Sequence, residues 1–437
     1  MTDKLTHRRV LTIALPIVLS NATVPILGAV DTGVIGQLGE AAPIGAVGIG
    51  AIILTGLYWI FGFLRMGTTG LAAQALGRKD DREVSALLVR ALLFAALAGG
   101  AIIVFQGLLF AAAFLIAPAS DEVEALARDY LSIRVWSAPA AIAIYGLTGW
   151  LIAQERTRAV LVLQVAMNGL NILLDLIFVL GLGFSVGGVA AATVVAEWSG
   201  VLLGLWFARK AFLVARWAEP AVLFDRLKLR NMWRVNGDIL IRSVLLQGIF
   251  ISFLFLASDL GDVTLAANQV LLQFLYITSY GLDGFAFAAE TLVGQALGRM
   301  DRLRLRRAAM LCALWSGVTA LVLAMGFGFF GEQIIAIMTT AETVRDAAGS
   351  YLPWMVVAPI IGFAAWILDG IFIGATRTRD MRNMMLVSAA VYAVSAAVLV
   401  PWFGNTGLWT ALLISFVIRA LTLGSRYPAL EAEVELN

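Results

Sequence analysis

The sequence predicts an all-α membrane protein with twelve transmembrane helices in two six-helix lobes. Composition supports the membrane assignment: 61% of the 437 residues are hydrophobic, the mean hydropathy is +0.90 and only 14% are charged, against roughly 25% in a soluble domain. An internal repeat supports the two lobes. Residues 74–78 (Gln-Ala-Leu-Gly-Arg) return at 295–299, and residues 156–158 (Arg-Thr-Arg) return at 377–379. Both matches have the same offset along the chain, which indicates that one half is a duplicate of the other.

The predicted helices are apolar runs long enough to cross a bilayer, which requires about 20 residues. In order, they are residues 10–35, 44–76, 86–117, 123–151, 159–181, 187–208, 236–257, 264–297, 308–336, 347–374, 384–403 and 407–424. Six fall in each half. Because an even number of crossings gives both halves the same orientation, we expect a pseudo-twofold axis along the membrane normal.

A polar connector lies at the middle of the repeat. It mixes basic residues with Phe224, Leu227 and Trp233, a pattern typical of an amphipathic segment on a membrane surface. We therefore predict an N-terminal lobe over residues 1–208, a cytoplasmic amphipathic linker over 209–235 and a C-terminal lobe over 236–437. The last lobe ends in a short acidic tail, which we expect to be disordered.

The basic residues indicate the orientation in the membrane. When the N-terminus is placed in the cytoplasm, 25 of the 31 Lys and Arg residues fall on the cytoplasmic side. The positive-inside rule therefore predicts that both termini of this multi-pass protein are cytoplasmic and that it resides in the plasma (inner) membrane.

Several function classes are disfavoured by what the sequence contains. With one cysteine, Cys312, and one histidine, His7, a disulfide framework and a Cys/His metal cluster are excluded. No Gly-rich loop ends in Gly-Lys-Ser/Thr, and the basic residues follow the membrane topology. We therefore expect no cofactor, no bound metal, no nucleic-acid partner and no enzymatic activity, and we expect transport to be driven by an ion gradient.

Buried acids in the N-terminal half are the first candidates for ion coupling. Placing an Asp in a span costs about 2.5–3.5 kcal/mol on insertion scales, so such residues are functional candidates by default. Asp31 lies in the first predicted helix and Asp175 in the fifth. Asn168, Asn171 and Asp175 follow a spacing of i, i+3 and i+7, which places them on one helix face.

The sixth helix adds Thr193 to this predicted ion-coupling cluster, and Glu197 one turn later is a candidate extension. A cavity lined by carboxylates, carboxamides and a hydroxyl group can bind a proton or a small cation. The repeat contains no copy of the cluster, because the positions that correspond to Asn171 and Asp175 in the second half are Tyr392 and Ala396. The cluster therefore belongs to one lobe, although for Asp31 an interfacial position near a helix end is the alternative.

The C-terminal half carries different charges within its spans: Arg242, Asp283, Glu290 and Asp369. They are candidates for lining the substrate cavity. Arg242 is expected to pair with Asp369 or Asp283, and a structural ion pair and a role in substrate binding are both open. Asp238, near the start of the seventh predicted helix, is interpreted as a partner of the helix dipole.

Large apolar side chains next to these polar residues are further candidates for the substrate cavity. Met167 neighbours Asn168, and Phe285 and Phe287 neighbour Asp283. Packing in the core or against lipid is the alternative for each of them.

At these residues the sequence resembles the multidrug and toxic-compound extrusion (MATE) family, most closely its DinF branch. The resemblance covers nearly the whole chain. It rests on residues 30–32 (Val-Asp-Thr), residues 70–78, Asn171 with Asp175, residues 282–290 (which start Leu-Asp-Gly) and residues 368–377 (which also start Leu-Asp-Gly).

The resemblance implies twelve helices in two V-shaped lobes and export of amphipathic, often cationic, compounds in exchange for H⁺ or Na⁺. It implies a coupling site at Asp31, with Asn171, Asp175 and Thr193 around it. Family members with a C-lobe sodium site use acids in the seventh, eighth and tenth helices. Here Asp369 matches the tenth, whereas the seventh offers Arg242, which favours protons.

The predicted function is thus a proton-coupled antiporter. Its partners are a small-molecule substrate, H⁺ and membrane lipids, and we expect a monomer. The alternatives are a Na⁺-coupled exporter of the same family and a lipid-linked oligosaccharide flippase of the same superfamily. Flippases of that kind usually have fourteen helices and more cationic cavities.

Overall fold

The computed structural model describes residues 5–37, 41–116, 120–214 and 217–434. These residues form helices and turns, with no strand among them. The backbone groups into two compact units. One, called here the N unit, is Leu19–Arg230; the other, the C unit, is Asn231–Asn437 together with Met1–Val18.

The N unit contains most of α1 and the nine helices after it. Their bounds are α1 His7–Gly36, α2 Ala41–Trp59, α3 Phe63–Gly77, α4 Asp81–Val104, α5 Gln106–Ile116, α6 Asp121–Arg134, α7 Ala138–Ala153, α8 Thr157–Asp175, α9 Ser185–Ala208 and α10 Pro220–Leu223. Short 3₁₀ turns, Ile60–Gly62 and Val135–Ser137, join α2 to α3 and α6 to α7. The predicted spans 44–76 and 123–151 are therefore each formed by two consecutive helices.

The C unit is built from long helices. They are α11 Arg226–Asp259, which starts in the N unit, α12 Asp262–Gly298, α13 Arg302–Met338, α14 Glu342–Gly374 and α15 Thr378–Glu433.

The helix α15 consists of two helices that meet at Gly404, where φ is 53° and ψ is −131°. This backbone conformation is accessible to glycine at little cost. A buried polar network lies beside the kink. Asn268 and Asn405 exchange hydrogen bonds of 2.7 and 3.0 Å, and the indole of Trp409 donates to Asn268 at 2.9 Å. The kink separates the predicted spans 384–403 and 407–424.

Ten helical stretches among the described residues are long and apolar enough to cross a membrane. The chain is therefore a multi-pass membrane protein. Because α15 counts once among the ten although it carries two predicted spans, the number of twelve crossings stays a prediction. The predicted lobe and linker boundaries also stay a prediction, and contacts group Met1–Val18 with the C unit.

The duplication is visible in backbone conformation. Lys79 and Met300, which correspond in the sequence repeat, have φ of 60° and 55°, and Glu155 and Thr376, at the same offset, have φ of 59° and 52°. Few non-glycine residues adopt positive φ. Their recurrence at the offset of the sequence repeat shows that the turns after corresponding helices have been kept.

Helix caps repeat in the same way. Asp80 accepts a hydrogen bond from the Glu83 amide at 3.0 Å, and Asp301 accepts one from the Arg304 amide at 2.9 Å. Each carboxylate satisfies an amide in the first turn of its helix, a position where Asp is a favoured N-cap.

Two close helix contacts repeat as well. A Cβ atom on Gly149 would lie 2.4 Å from the backbone oxygen of Arg65, and one on Gly370 would lie 2.4 Å from that of Ala286. Only glycine allows these backbones to approach so closely, as is common between membrane helices.

The connector after α9 is attached to the cytoplasm-facing end that we predict for α4. Arg90 donates to the carbonyl oxygens of Val222 at 2.5 Å and Leu223 at 2.9 Å. The same guanidinium pairs with Glu83 at 2.7 Å, and Glu83 also accepts from Lys228 at 2.7 Å. The predicted amphipathic segment therefore includes α10 and the start of α11, packed against α4.

The acidic tail differs from its prediction. The helix α15 extends to Glu433, and Leu430 and Glu431 are buried. Arg377 pairs with Glu433, and Arg302 lies 3.5 Å from Glu431. The expected disorder is wrong for residues 425–434, because basic side chains of the same unit neutralise the acids that suggested a solvated tail.

Candidate functional site

The polar face of α8 is buried in the N unit. Asn168 is 5% exposed, Asn171 1% and Asp175 0%, and Thr193 on α9 is also buried. The Asn171 amide donates to the Thr193 hydroxyl at 3.3 Å, and that hydroxyl donates to the carbonyl oxygen of Val189 at 2.9 Å. The three residues share one buried face of α8, and Asn171 joins that face to Thr193. The role of these residues in ion coupling stays a prediction.

Asn168 connects this face to the first helix. Its amide donates to the Thr23 hydroxyl at 3.0 Å, and its carbonyl oxygen accepts from Gln164 at 3.1 Å. Thr23 and Gln164 were not among the predicted residues. Asp31 lies two turns beyond Thr23 on α1, and its side chain is outside the described part of the structure.

Asp175 occupies the last position of α8. The next six residues, Leu176–Gly181, form a π-helical turn, and π-helical turns occur frequently at functional sites. The fully buried carboxyl group thus lies where the helix changes its winding.

Glu197 is not part of this cluster, which corrects its assignment as an extension of it. Its carboxylate accepts two hydrogen bonds from Arg134, at 2.6 and 3.0 Å, in a bidentate pair. The guanidinium also contacts Ser137 and lies 5.7 Å from the Tyr58 ring centroid. One signal for this pair was present in the sequence: Arg134 and Glu197 have opposite charges and lie in separate predicted spans.

The charges of the C unit form a second cluster. Arg242 pairs with Asp369, one of its two predicted partners, and both side chains are buried. The Arg419 guanidinium lies 3.9 Å from the same carboxylate oxygen of Asp369. Arg419 was not among the predicted site residues, so its place beside Asp369 was not predicted.

Arg419 is also flanked by aromatic rings. Its guanidinium carbon lies 5.2 Å from the Trp366 centroid and 5.7 Å from that of Phe416. Both distances are within the range of cation–π attraction.

The remaining residues predicted to line a substrate cavity are distributed over both units. Glu290 and Phe285 are buried in α12, whereas Asp283 and Phe287 on the same helix are partly buried. Met167 lies in the N unit, where a Cβ atom on Gly200 would come within 2.8 Å of its sulfur. Met167 therefore packs tightly between α8 and α9.

The interpretation of Asp238 as a partner of a helix dipole is wrong. The helix α11 begins at Arg226, three turns earlier. Asp238 instead accepts from Arg382 at 2.7 Å and from Thr378 at 3.1 Å.

Comparison with known proteins gives the family. The profile of the MatE family matches residues 16–177 and again residues 239–399, once in each copy of the repeat. The chain belongs to the MatE family. DNA damage-inducible protein F of Escherichia coli (strain K12) is 41% identical over 94% of this chain and 90% of its own length. The predicted resemblance to the DinF branch is therefore confirmed.

More distant relatives extend over similar lengths. A probable multidrug resistance protein NorM of Bradyrhizobium diazoefficiens is 28% identical over 95% of this chain and 92% of its own length. Protein DETOXIFICATION 44, chloroplastic, of Arabidopsis thaliana is 27% identical over 95% of this chain and 82% of its own length.

Solved structures share the fold. One described as the outward-facing conformation of a multidrug resistance MATE family transporter of the MOP superfamily matches with a TM-score of 0.88 and 17% identity. It covers 99% of this chain and 97% of its own. A MOP superfamily transporter from Pyrococcus furiosus matches with a TM-score of 0.87 and 18% identity, with the same coverage of both chains.

Proposed function

We propose that this MatE protein is a secondary active exporter, which moves amphipathic organic compounds, cations among them, out of the cell in exchange for protons. The proposed coupling site is the polar face of α8, namely Asn168, Asn171 and Asp175, with Thr193 and with Asp31 on α1. The observation that carries the proposal is the complete burial of Asp175 on a face that continues as two buried amides. The exporter class is supported by family membership and by the names of the relatives.

A buried carboxyl group on a helix face that continues as amide side chains is suited to proton exchange. Removal from water favours the protonated form of a carboxyl group, whereas hydrogen-bond donors around it favour the carboxylate. A conformational change that alters water access shifts this balance, so that the group releases a proton on one side of the membrane and binds one on the other. Groups with such opposing influences are frequent at functional sites.

The charged cluster of the C unit argues against a sodium site at Asp369. Asp369 is paired with Arg242 and has Arg419 3.9 Å away. Two like unit charges about 4 Å apart repel by roughly 4 kcal/mol at an effective dielectric constant near 20. A Na⁺ ion on Asp369 would meet this repulsion, whereas proton exchange in the N unit avoids it.

The proposal includes the architecture predicted from the sequence. It comprises twelve crossings in two six-helix lobes joined by a cytoplasmic linker. Both termini lie in the cytoplasm, and the protein is a monomer in the inner membrane. The support is the recurrence of turns, caps and glycine contacts at one offset, together with the distribution of Lys and Arg.

The test is efflux of a fluorescent organic cation from vesicles that contain the purified protein, with a pH gradient and a Na⁺ gradient imposed separately. We expect transport to follow the pH gradient and to persist when Na⁺ is replaced by K⁺ or choline. Transport that requires Na⁺ and ignores the pH gradient would establish the sodium-coupled alternative instead.

The variant Asp31→Asn sharpens the test. It keeps the size of the side chain and removes the exchangeable proton, so we expect normal expression and loss of transport driven by the pH gradient. Full activity in this variant would remove Asp31 from the coupling site.

A further inference from the structure

The charged cluster of the C unit is unbalanced. Arg242 and Arg419 contribute two positive charges, and Asp369 contributes one negative charge. Arg419 and Arg242 approach the same oxygen of Asp369, which attracts both of them, while the two guanidinium groups repel each other. With all three side chains at most 9% exposed, the described residues of this cluster leave one positive charge in excess in a region of low polarity.

Arg419 also has unsatisfied hydrogen-bonding capacity in the described part of the chain. Its nearest carboxylate oxygen is 3.9 Å away, beyond hydrogen-bond distance. Its buried Nε has no hydrogen-bond partner among the described residues, and the same is true of the Nε of Arg242. A buried polar group is normally hydrogen-bonded, and a buried charge is normally paired, because leaving either unsatisfied is costly.

The surroundings of Arg419 indicate which kind of group completes the cluster. A guanidinium presents a planar fork of donors that matches a carboxylate in a bidentate geometry. Trp366, which is partly exposed, and buried Phe416 cover the guanidinium, and their ring centroids are 5.2 Å apart at an interplanar angle of 78°. A ligand with an acidic group on an apolar or aromatic body fits this site, because the guanidinium can bind the acidic group and the two rings can contact the body.

We propose that Arg419 and Arg242 form a binding site for the acidic group of an organic substrate, with the Trp366 and Phe416 rings beside its apolar body. Asp369 holds Arg242 in place and competes with the ligand for it. The substrates would then include amphipathic carboxylates and compounds that carry a carboxylate and a cation together. This inference rests on the proposed export function and adds amphipathic acids to its substrate class.

The test uses the full-length protein in nanodiscs of phosphatidylcholine, which exclude anionic lipid as the ligand. Three probes share one ring system and differ in charge: naphthalene-2-carboxylate, naphthalene-2-methanol and 2-naphthylmethylammonium. Equilibrium binding is measured by calorimetry without any gradient. We expect the carboxylate to bind at least tenfold more tightly than the alcohol and the ammonium compound. Equal affinities for the three probes would overturn the proposal.

Variants test whether the preference for the carboxylate probe depends on this cluster. In Arg419→Gln we expect the affinity for the carboxylate to fall at least tenfold, with the affinity for the alcohol unchanged. Arg345→Gln, which removes an arginine elsewhere in the C unit, is the matched control and should bind all three probes as the wild type does. An unchanged carboxylate affinity in Arg419→Gln would refute the assignment.

A third variant decides the matter even if Arg419→Gln fails to fold. Asp369→Asn removes the competing carboxylate and keeps both arginines, so the carboxylate probe should bind more tightly and should raise the Tm of this variant more than that of the wild type. Weaker or unchanged binding in Asp369→Asn would overturn the proposal. Because no proton gradient is used, failure of this binding test and failure of proton coupling are separate results.

Discussion

Corresponding helix faces in the two units have different chemistry. On α8 of the N unit the face is Asn168, Asn171 and Asp175, all buried and polar. At the same places in the first half of α15 lie Ala389, Tyr392 and Ala396, which pack in or against the hydrophobic core around Phe253 and Trp409. The duplication has thus kept the backbone and exchanged the side chains, which is the difference that the proposed proton coupling in the N unit requires.

The ion pairs show the same divergence. The N unit has a balanced pair, Arg134 with Glu197, in which both groups are satisfied by two hydrogen bonds. The C unit has two arginines around Asp369. The balanced pair fits a structural role within one unit, whereas the unbalanced cluster is the site that we propose for an acidic ligand.

The largest effect is expected from substitutions at corresponding positions of the two helix faces. Asp175→Asn should reduce efflux driven by the pH gradient at least tenfold, because the amide cannot exchange a proton. Ala396→Asn, at the corresponding place in α15, should leave the pH dependence of efflux unchanged, although it inserts a polar group into the core. Equal loss of coupling in both variants, measured in the same vesicles at matched protein content, would show that the two faces are functionally alike.

The next effect concerns the balanced pair. Glu197→Gln leaves Arg134 as an uncompensated, largely buried charge, and removing one partner of a buried pair costs about 3–5 kcal/mol. We expect a clearly lowered Tm for the purified protein. Glu124→Gln provides the control, because its pair with Arg128 is exposed and exposed pairs contribute about 0–1 kcal/mol. If both variants had the same Tm, the Arg134 pair would contribute no more than a surface pair.

The close helix contacts should respond equally in the two units. Gly149→Ala and Gly370→Ala each place a Cβ atom 2.4 Å from a backbone oxygen, and overpacking of this kind costs about 1–3 kcal/mol. We expect similar drops in Tm. A loss confined to one variant would mean that the duplicated contact is no longer equivalent.

The smallest effect is expected at the repeated caps. Asp80→Ala and Asp301→Ala each remove one side-chain acceptor from the start of a helix, at a cost of about 1 kcal/mol. Thermal unfolding of both variants should show small shifts of similar size. A much larger shift at Asp80 would show that this residue does more than cap α4.

The sequence predicted features that depend on one element or on the repeat itself. The face of α8 follows from helical periodicity, the helices follow from apolar length, and the duplicated turns follow from a constant offset. The partners Thr23 and Gln164 escaped prediction because neither a hydroxyl nor an amide is unusual on its own.

Pairings between helices were harder to predict. Whether Glu197 meets Thr193 or Arg134 depends on how α6 and α9 are rotated against each other, and spacing along one helix carries no information on this. The same applies to Arg419 and Asp369. The helical tail was missed because acidic composition suggests solvation, whereas Glu431 lies against the basic start of α13.

The boundary between the units has a mechanical consequence. It falls between Val18 and Leu19 and between Arg230 and Asn231, inside the continuous helices α1 and α11. The chain thus passes from one unit to the other within two continuous helices rather than through a loop. Pro16, just before the first boundary, removes one helical hydrogen bond. We therefore expect α1 to bend more easily at its boundary than α11 does. A protease cut in the connector before α10 would accordingly leave the two units tethered through α1.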